Sequence, residues 1–139
     1  MSHTPAELAA QINQHLGGWN DAMGLRFVSV SPDECVGELV VGPQHLQPYG
    51  IVHGGVYCAI IESVASTSAF VWLAEHGGGN VVGVNNNTDF LRAISAGTVY
   101  AESEPLHRGR RQQLWVVTIR DEKDRVVARG QVRLQNLDA

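Results

Sequence analysis

Apolar and polar residues alternate most regularly near the end of the chain. Val126, Ala128, Gly130, Val132 and Leu134 interleave with Val127, Arg129, Gln131, Arg133 and Gln135. One face is apolar and the other mostly polar, which predicts a strand over 125–135. Three further strand signals precede it, over 80–92, 97–105 and 111–120, and the polar run "DEKD" marks a tight turn before the last. Upstream the period changes to three and four. Val56, Ala59, Ile60, Val64, Thr67, Phe70 and Val71 predict a long helix from Gly54 to Glu75, stopped by "HGGGN". Residues 25–31 and 34–42 read as two short strands around Pro32-Asp33, and "PQHLQPYG" reads as a loop. At the start, Thr4 as N-cap, Pro5 in the first turn and Glu7 form a capping pattern for a helix expected to end at Gly17-Gly18.

The predicted order is a short helix, two strands, a long helix and four strands. No helix separates the last four strands, so the sheet is expected to be mainly antiparallel and the class α+β. A central apolar helix needs a sheet around it. The expected organisation is an N-terminal helix over 1–18 and a single domain over 19–139.

Composition narrows the functional classes. With 139 residues, 44% hydrophobic and 17% charged, the chain suits one globular core. A net charge of −4 gives no general reason to bind nucleic acid or an anionic membrane. Cys35 and Cys58 are expected to be reduced thiols of a cytoplasmic protein, and the opening "MSHTPAELAAQ" lacks the marks of a signal peptide. The segment 54–74 has the length of a membrane span. Glu62, four Ser/Thr residues and two glycines within it favour a buried helix of a soluble protein.

Glu62 is the residue that draws attention to chemistry. From Gly50 to Ala74 the chain has no other Asp, Glu, Lys or Arg. Tyr57, Cys58, Ile61, Ala65 and Ala69 share its side of the helix, so a solvated stripe is missing. A carboxylate among apolar side chains has its charged form disfavoured, the condition in which it serves as base or nucleophile. Gly54-Gly55 opens the helix, where the first N–H groups lack intrahelical partners and carry the positive end of the dipole. Such an N–H can donate to an oxyanion, or the glycines can simply turn the loop into the helix.

Glu62 lies eight residues beyond Gly54, about 12 Å along a helix. Those two groups do not readily reach one carbonyl. Two antiparallel helices related by a two-fold axis would bring Glu62 of one chain to Gly54 of the other, and isologous pairing is the commonest oligomer symmetry.

The stretch "GIVHGGVYCAIIESVAS", joined to "NNNTDF" and "HRGRR", resembles the hotdog-fold acyl-CoA thioesterases. The resemblance is to the branch of 4-hydroxybenzoyl-CoA thioesterase and the phenylacetate-pathway thioesterases, and it extends from about Trp19 onward. It implies an antiparallel sheet wrapped around the long helix, paired into a homodimer and often a tetramer. By matching positions, Glu62 would be the catalytic carboxylate and Gly54 the backbone donor to the thioester oxygen. Gln47 would be a polar side chain near the thioester, and Ser66 a hydroxyl that positions water or substrate. His53 fits the same pattern without a defined role. No cofactor is expected, CoA being part of substrate and product. The thiol of CoA, with a pKa near 8.5, leaves readily as thiolate, so one carboxylate and one oxyanion donor can suffice.

In "LHRGRRQQ" the guanidinium groups of Arg108, Arg110 and Arg111, around Gly109 and beside His107, suit the phosphates of CoA. A solvated turn is the plainer alternative. Asn85, Asn86, Asn87 and Asp89 are poor strand formers. They either line an acyl pocket, which makes Asn86 and Asn87 candidate substrate contacts, or hold the helix through amide hydrogen bonds. The histidines show no zinc-type spacing, so no metal is expected. The expected activity is hydrolysis of an aromatic or medium-sized acyl-CoA. A non-catalytic acyl-CoA-binding domain and a hydratase are the rivals, though a hydratase needs an Asp-His type pair that one chain does not supply.

Overall fold

A computed structural model describes residues 2–139. Helix α1 (Pro5–Asn13) starts as expected, with the Glu7 N–H donating to Thr4 Oγ1 at 3.1 Å. It ends at Asn13, four residues before Gly17-Gly18, because Asn13 is claimed by the first strand. Its amide donates to the Phe27 carbonyl and accepts from the Phe27 N–H, both at 2.8 Å, standing in for a strand neighbour. The two glycines, both at positive φ, then lead into a second helix, α2 (Gly18–Met23), which the apolar pattern did not predict. Six residues are too few to display a helical period. Gly24 in the left-handed region ends α2, and Ser63 of the long helix donates to Asn20 at 2.6 Å.

Strands β1 (Arg26–Val30) and β2 (Cys35–Val40) lead to a 3₁₀ turn at Pro43–His45 and then to α3 (Gly54–Ala74). Strands β3 (Asn80–Phe90), β4 (Thr98–Arg108), β5 (Gln112–Arg120) and β6 (Val126–Leu137) complete the chain. All pair antiparallel in one six-stranded sheet ordered β1-β2-β4-β5-β6-β3. β4 runs further than its sequence signal, to Arg108, so His107 and Arg108 belong to a strand end and not to the turn.

α3 lies across the sheet against β2 to β6. Ile60, Ile61 and Val64 of the helix, Leu25, Leu39, Trp115, Ile119 and Leu134 form the centre of the core. Gln113 is fully buried and uses its amide to join the layers, donating to the Ala69 carbonyl and to Asn136, and accepting from Trp115 Nε1 at 2.9 Å. α3 is long and apolar enough to cross a membrane, but half of that stretch is packed inside the protein, as in a core helix. Both cysteines are free, and burial pushes the Cys35 thiol up to about 11.

Two features position the site. β3 is an edge strand, paired only with β6, and none of its residues is fully buried. Its register with β6 slips between Gly83 and Asn85, leaving Val84 as an extra residue in a bulge.

Candidate active site

Glu62, half-buried in the middle of α3, faces β3. The Asn86 amide Nδ2 donates to Glu62 Oε1 and to the Cys58 carbonyl one turn earlier, each at 3.1 Å. Thr88 donates its hydroxyl to Asn86 Oδ1 at 2.7 Å. The other carboxylate oxygen, Oε2, lies against the Gly83 main chain, in the space that a Cβ there would occupy. Glu62 Oε2 has no hydrogen-bond partner among the described residues. Asn86 thus holds the helix through amide hydrogen bonds, one of the two roles its sequence allowed. Asn87 alternates to the other face of the sheet, where with Asn85, Asp89, Arg129 and Arg133 it lines a shallow polar hollow.

At the start of α3, His53 is the N-cap. Its Nδ1 accepts from the Gly55 N–H at 2.8 Å, so in the neutral ring the proton sits on Nε2. The Gly54 N–H has no partner among the described residues and stands at the positive end of a 21-residue helix. Phe90, at the end of β3, lays its ring over this glycine: a Cβ on Gly54 would sit 2.7 Å from two of its ring carbons. The Phe90 ring also meets Tyr57, centroid to centroid at 6.2 Å. Within one chain, Gly54 and Glu62 remain about two turns apart on the same helix.

Gln47 lies in the loop before α3, six residues ahead of the N-cap. Its Oε1 accepts from the Tyr49 N–H, and its backbone pairs with Ile51 and Gly50 in a tight turn. Ser66, one turn beyond Glu62, lines an apolar groove of about 550 Å³ between α1, the second half of α3 and the start of β3. Leu8, Ile12, Phe70 and Val71 form much of its wall.

The arginines divide. Arg108 donates to the Pro32 carbonyl and to Asp33 at 2.7 Å, and its guanidinium lies 5.7 Å from the Trp72 ring centre and 5.8 Å from that of Trp115. It is held by its own chain. Arg110 and Arg111 are exposed, and with His107, Gly109, Gln112 and Gln135 they border a cleft of about 520 Å³. Asn136 fixes the main chain of this turn by donating to the Gly109 and Arg110 carbonyls. Among the described residues no three His, Cys, Asp or Glu side chains lie close enough to hold a metal ion. His45 is buried in structural bonds to Gly42 and Met23.

Residues 49–128, which include the helix, its cap, β3 and β4, match the Thioesterase superfamily. The chain belongs to that superfamily. It is a thioester hydrolase with the hotdog architecture. A Mycobacterium tuberculosis protein named "putative esterase" is 65% identical over 122 residues, 87% of each chain. The solved structure of that protein superposes with a TM-score of 0.85 at 64% identity, covering 87% of this chain and 97% of that one. The 1,4-dihydroxy-2-naphthoyl-CoA hydrolase of Escherichia coli is 33% identical over 104 residues, 75% of each chain. The likeness to this superfamily is general, and it does not single out the 4-hydroxybenzoyl-CoA or phenylacetate branch.

Sequence patterns did not reveal what Gly83, Thr88, Phe90 and Gly130 do in this thioesterase. Two of the four carried a usable signal. An isolated glycine inside a strand marks a close approach by something else, and Gly83 and Gly130 are both of that kind.

Proposed function

We propose that this thioesterase hydrolyses an acyl-CoA, with Glu62 as base or nucleophile and the N–H of Gly54 of the partner subunit polarising the thioester carbonyl. One observation carries the reading. The only acidic side chain of α3 is half-buried, with one oxygen held by Asn86 and the other free, and it lies beside a strand edge that its own chain leaves open. The separation of about 12 Å between Gly54 and Glu62 along one helix supports a site shared across a two-fold axis. The exposed apolar residues of β3, Val82, Val84 and Phe90, support pairing at that edge.

In this mechanism Glu62 either attacks the carbonyl carbon itself or takes a proton from an attacking water. The electron pair of the carbonyl moves onto oxygen, where the unpaired N–H at the helix start meets it, and CoA departs as its thiolate when the carbonyl re-forms. Where Glu62 attacked, water then opens the mixed anhydride, releasing the acid and the carboxylate. Removing one such donor typically costs on the order of 3 kcal/mol of transition-state stabilisation. In this reading Ser66, one turn beyond Glu62, orients the water, and Gln47 is a polar side chain near the thioester, with His53 capping the helix whose first N–H meets it. The apolar groove beside Ser66 supports an aromatic or medium-sized acyl group. The name of the Escherichia coli relative supports a CoA thioester. For the phosphates of CoA the free guanidinium groups of Arg110 and Arg111 are the fitting partners, since Arg108 is already bonded. A cytoplasmic setting accords with the two free cysteines and with CoA as substrate.

The test is Glu62→Gln, followed by thiol release from a panel of acyl-CoAs. Hydrolysis is expected to be lost while acyl-CoA binding persists. Unchanged turnover would remove the mechanism, and binding without any wild-type turnover would leave a non-catalytic binder. Mixing Glu62→Gln chains with Gly54→Ala chains, each inactive alone, is expected to restore part of the activity.

A further inference from the structure

We propose that Asn86 is a positioning residue that fixes the Glu62 carboxylate, with Thr88 holding the oxygen end of the Asn86 amide and two glycines, Gly83 and Gly130, making the room this requires. The inference rests on the reading of Glu62 as the reacting carboxylate.

A primary amide has two N–H groups to give and one oxygen to accept with. Asn86 uses both ends. Nδ2 donates to Glu62 Oε1 and to the Cys58 carbonyl, and Oδ1 accepts from Thr88. Turning the amide over would set its oxygen against a carboxylate and a carbonyl, neither of which has a hydrogen to give. The carboxylate and the carbonyl, which can only accept, therefore forbid the flip, and Asn86 stands as a fixed donor under Oε1, with Thr88 giving its oxygen a partner. Glu62 Oε2 is left beside Gly83 with no hydrogen-bond partner among the described residues.

The glycines follow from the same arrangement. Thr88 is registered opposite Gly130 on β6, and a Cβ on Gly130 would collide with the Thr88 hydroxyl and come within 3.0 Å of Ile61. A Cβ on Gly83 would collide with Glu62 Oε2. Neither glycine has positive φ, so the backbone at both positions accepts any L-residue. Space, and not backbone conformation, makes them glycine. The amide run 85–87 that weakens β3 as a strand is thereby split in purpose: Asn85 and Asn87 face out, and Asn86 reaches back to the helix.

Steady-state hydrolysis of one acyl-CoA by five variants tests this. Asn86→Ala should lower kcat on the order of 10²-fold with KM unchanged, because a displaced reacting group loses rate rather than affinity. Thr88→Val should lower kcat about tenfold, the loss of one hydrogen bond to the amide, and Thr88→Ser should recover most of it. Gly83→Ala should behave like Asn86→Ala. A raised KM at constant kcat in Asn86→Ala would make Asn86 a substrate contact and overturn the inference, as would wild-type kcat in Thr88→Val or failure of Thr88→Ser to recover. If Asn86→Ala does not fold, the Thr88 pair decides alone. Glu62→Gln, assayed beside them, separates the two readings. Retained activity there defeats the Glu62 mechanism itself, whereas its loss beside an unaffected Asn86→Ala defeats only the positioning role.

Discussion

β6 and β3 lie side by side, are of nearly equal length and share one hydrogen-bonded ladder. β6 is completed by its own chain: Ala128, Gly130, Val132 and Leu134 are all buried on the face toward α3. β3 buries nothing fully, exposes about half of Val84 and Phe90, and has an open outer edge. The residues of β6 satisfy the fold. Those of β3 answer to the helix behind them and leave an edge unpaired. The β4–β5 turn repeats the contrast on a smaller scale, with Arg108 held between two indoles and Arg110 and Arg111 left in solvent.

The strongest way to break the comparison is to charge the open edge. Val82→Asp with Val84→Asp should block strand pairing, give a monomer in sedimentation, and lower kcat by on the order of 10²- to 10³-fold, the worth of an oxyanion donor. A fully active monomer would show that β3 is complete as it stands. Leu134→Ala on β6 should cost about 2–5 kcal/mol in denaturant unfolding, whereas Val84→Ala on β3, measured on protein dilute enough to be monomeric, should cost no more than about 0.5 kcal/mol. Equal costs would erase the distinction between the strands. The mildest test compares arginines. Arg110→Ala with Arg111→Ala should raise KM for acyl-CoA roughly tenfold, about the worth of one charged hydrogen bond, and leave a pantetheine thioester unaffected. Arg108→Ala should instead lower the melting temperature, since it removes Asp33's partner and the cation between Trp72 and Trp115.

The same contrast explains what could be read in the sequence. β6 and α3 announce themselves because burial by their own chain imposes a period on their apolar residues. Glu62 stands out for the converse reason, as a charge that interrupts such a pattern. α2 is shorter than two turns and owes its existence to Met23 reaching the core and to Asn20 meeting Ser63, neither of which leaves a local trace. Arg108 looked like its neighbours because Asp33, Trp72 and Trp115 come from three distant segments. The amide run 85–87 was visibly wrong for a strand, yet only the fold tells which of the three turns inward. Gly83 and Gly130, isolated glycines within strands, could have been taken as places of close approach, but what approaches them leaves no trace in the sequence.

The contact between Gly54 and Phe90 has a consequence for how this protein can change over generations. The ring stands where a methyl group on residue 54 would have to go, so an alanine there displaces either the aromatic cover or the start of the helix. A smaller residue must arrive at 90 first, and that intermediate gives up the packing on Tyr57. The two positions are locked as a pair, 36 residues apart in sequence, and any drift at one must wait for the other.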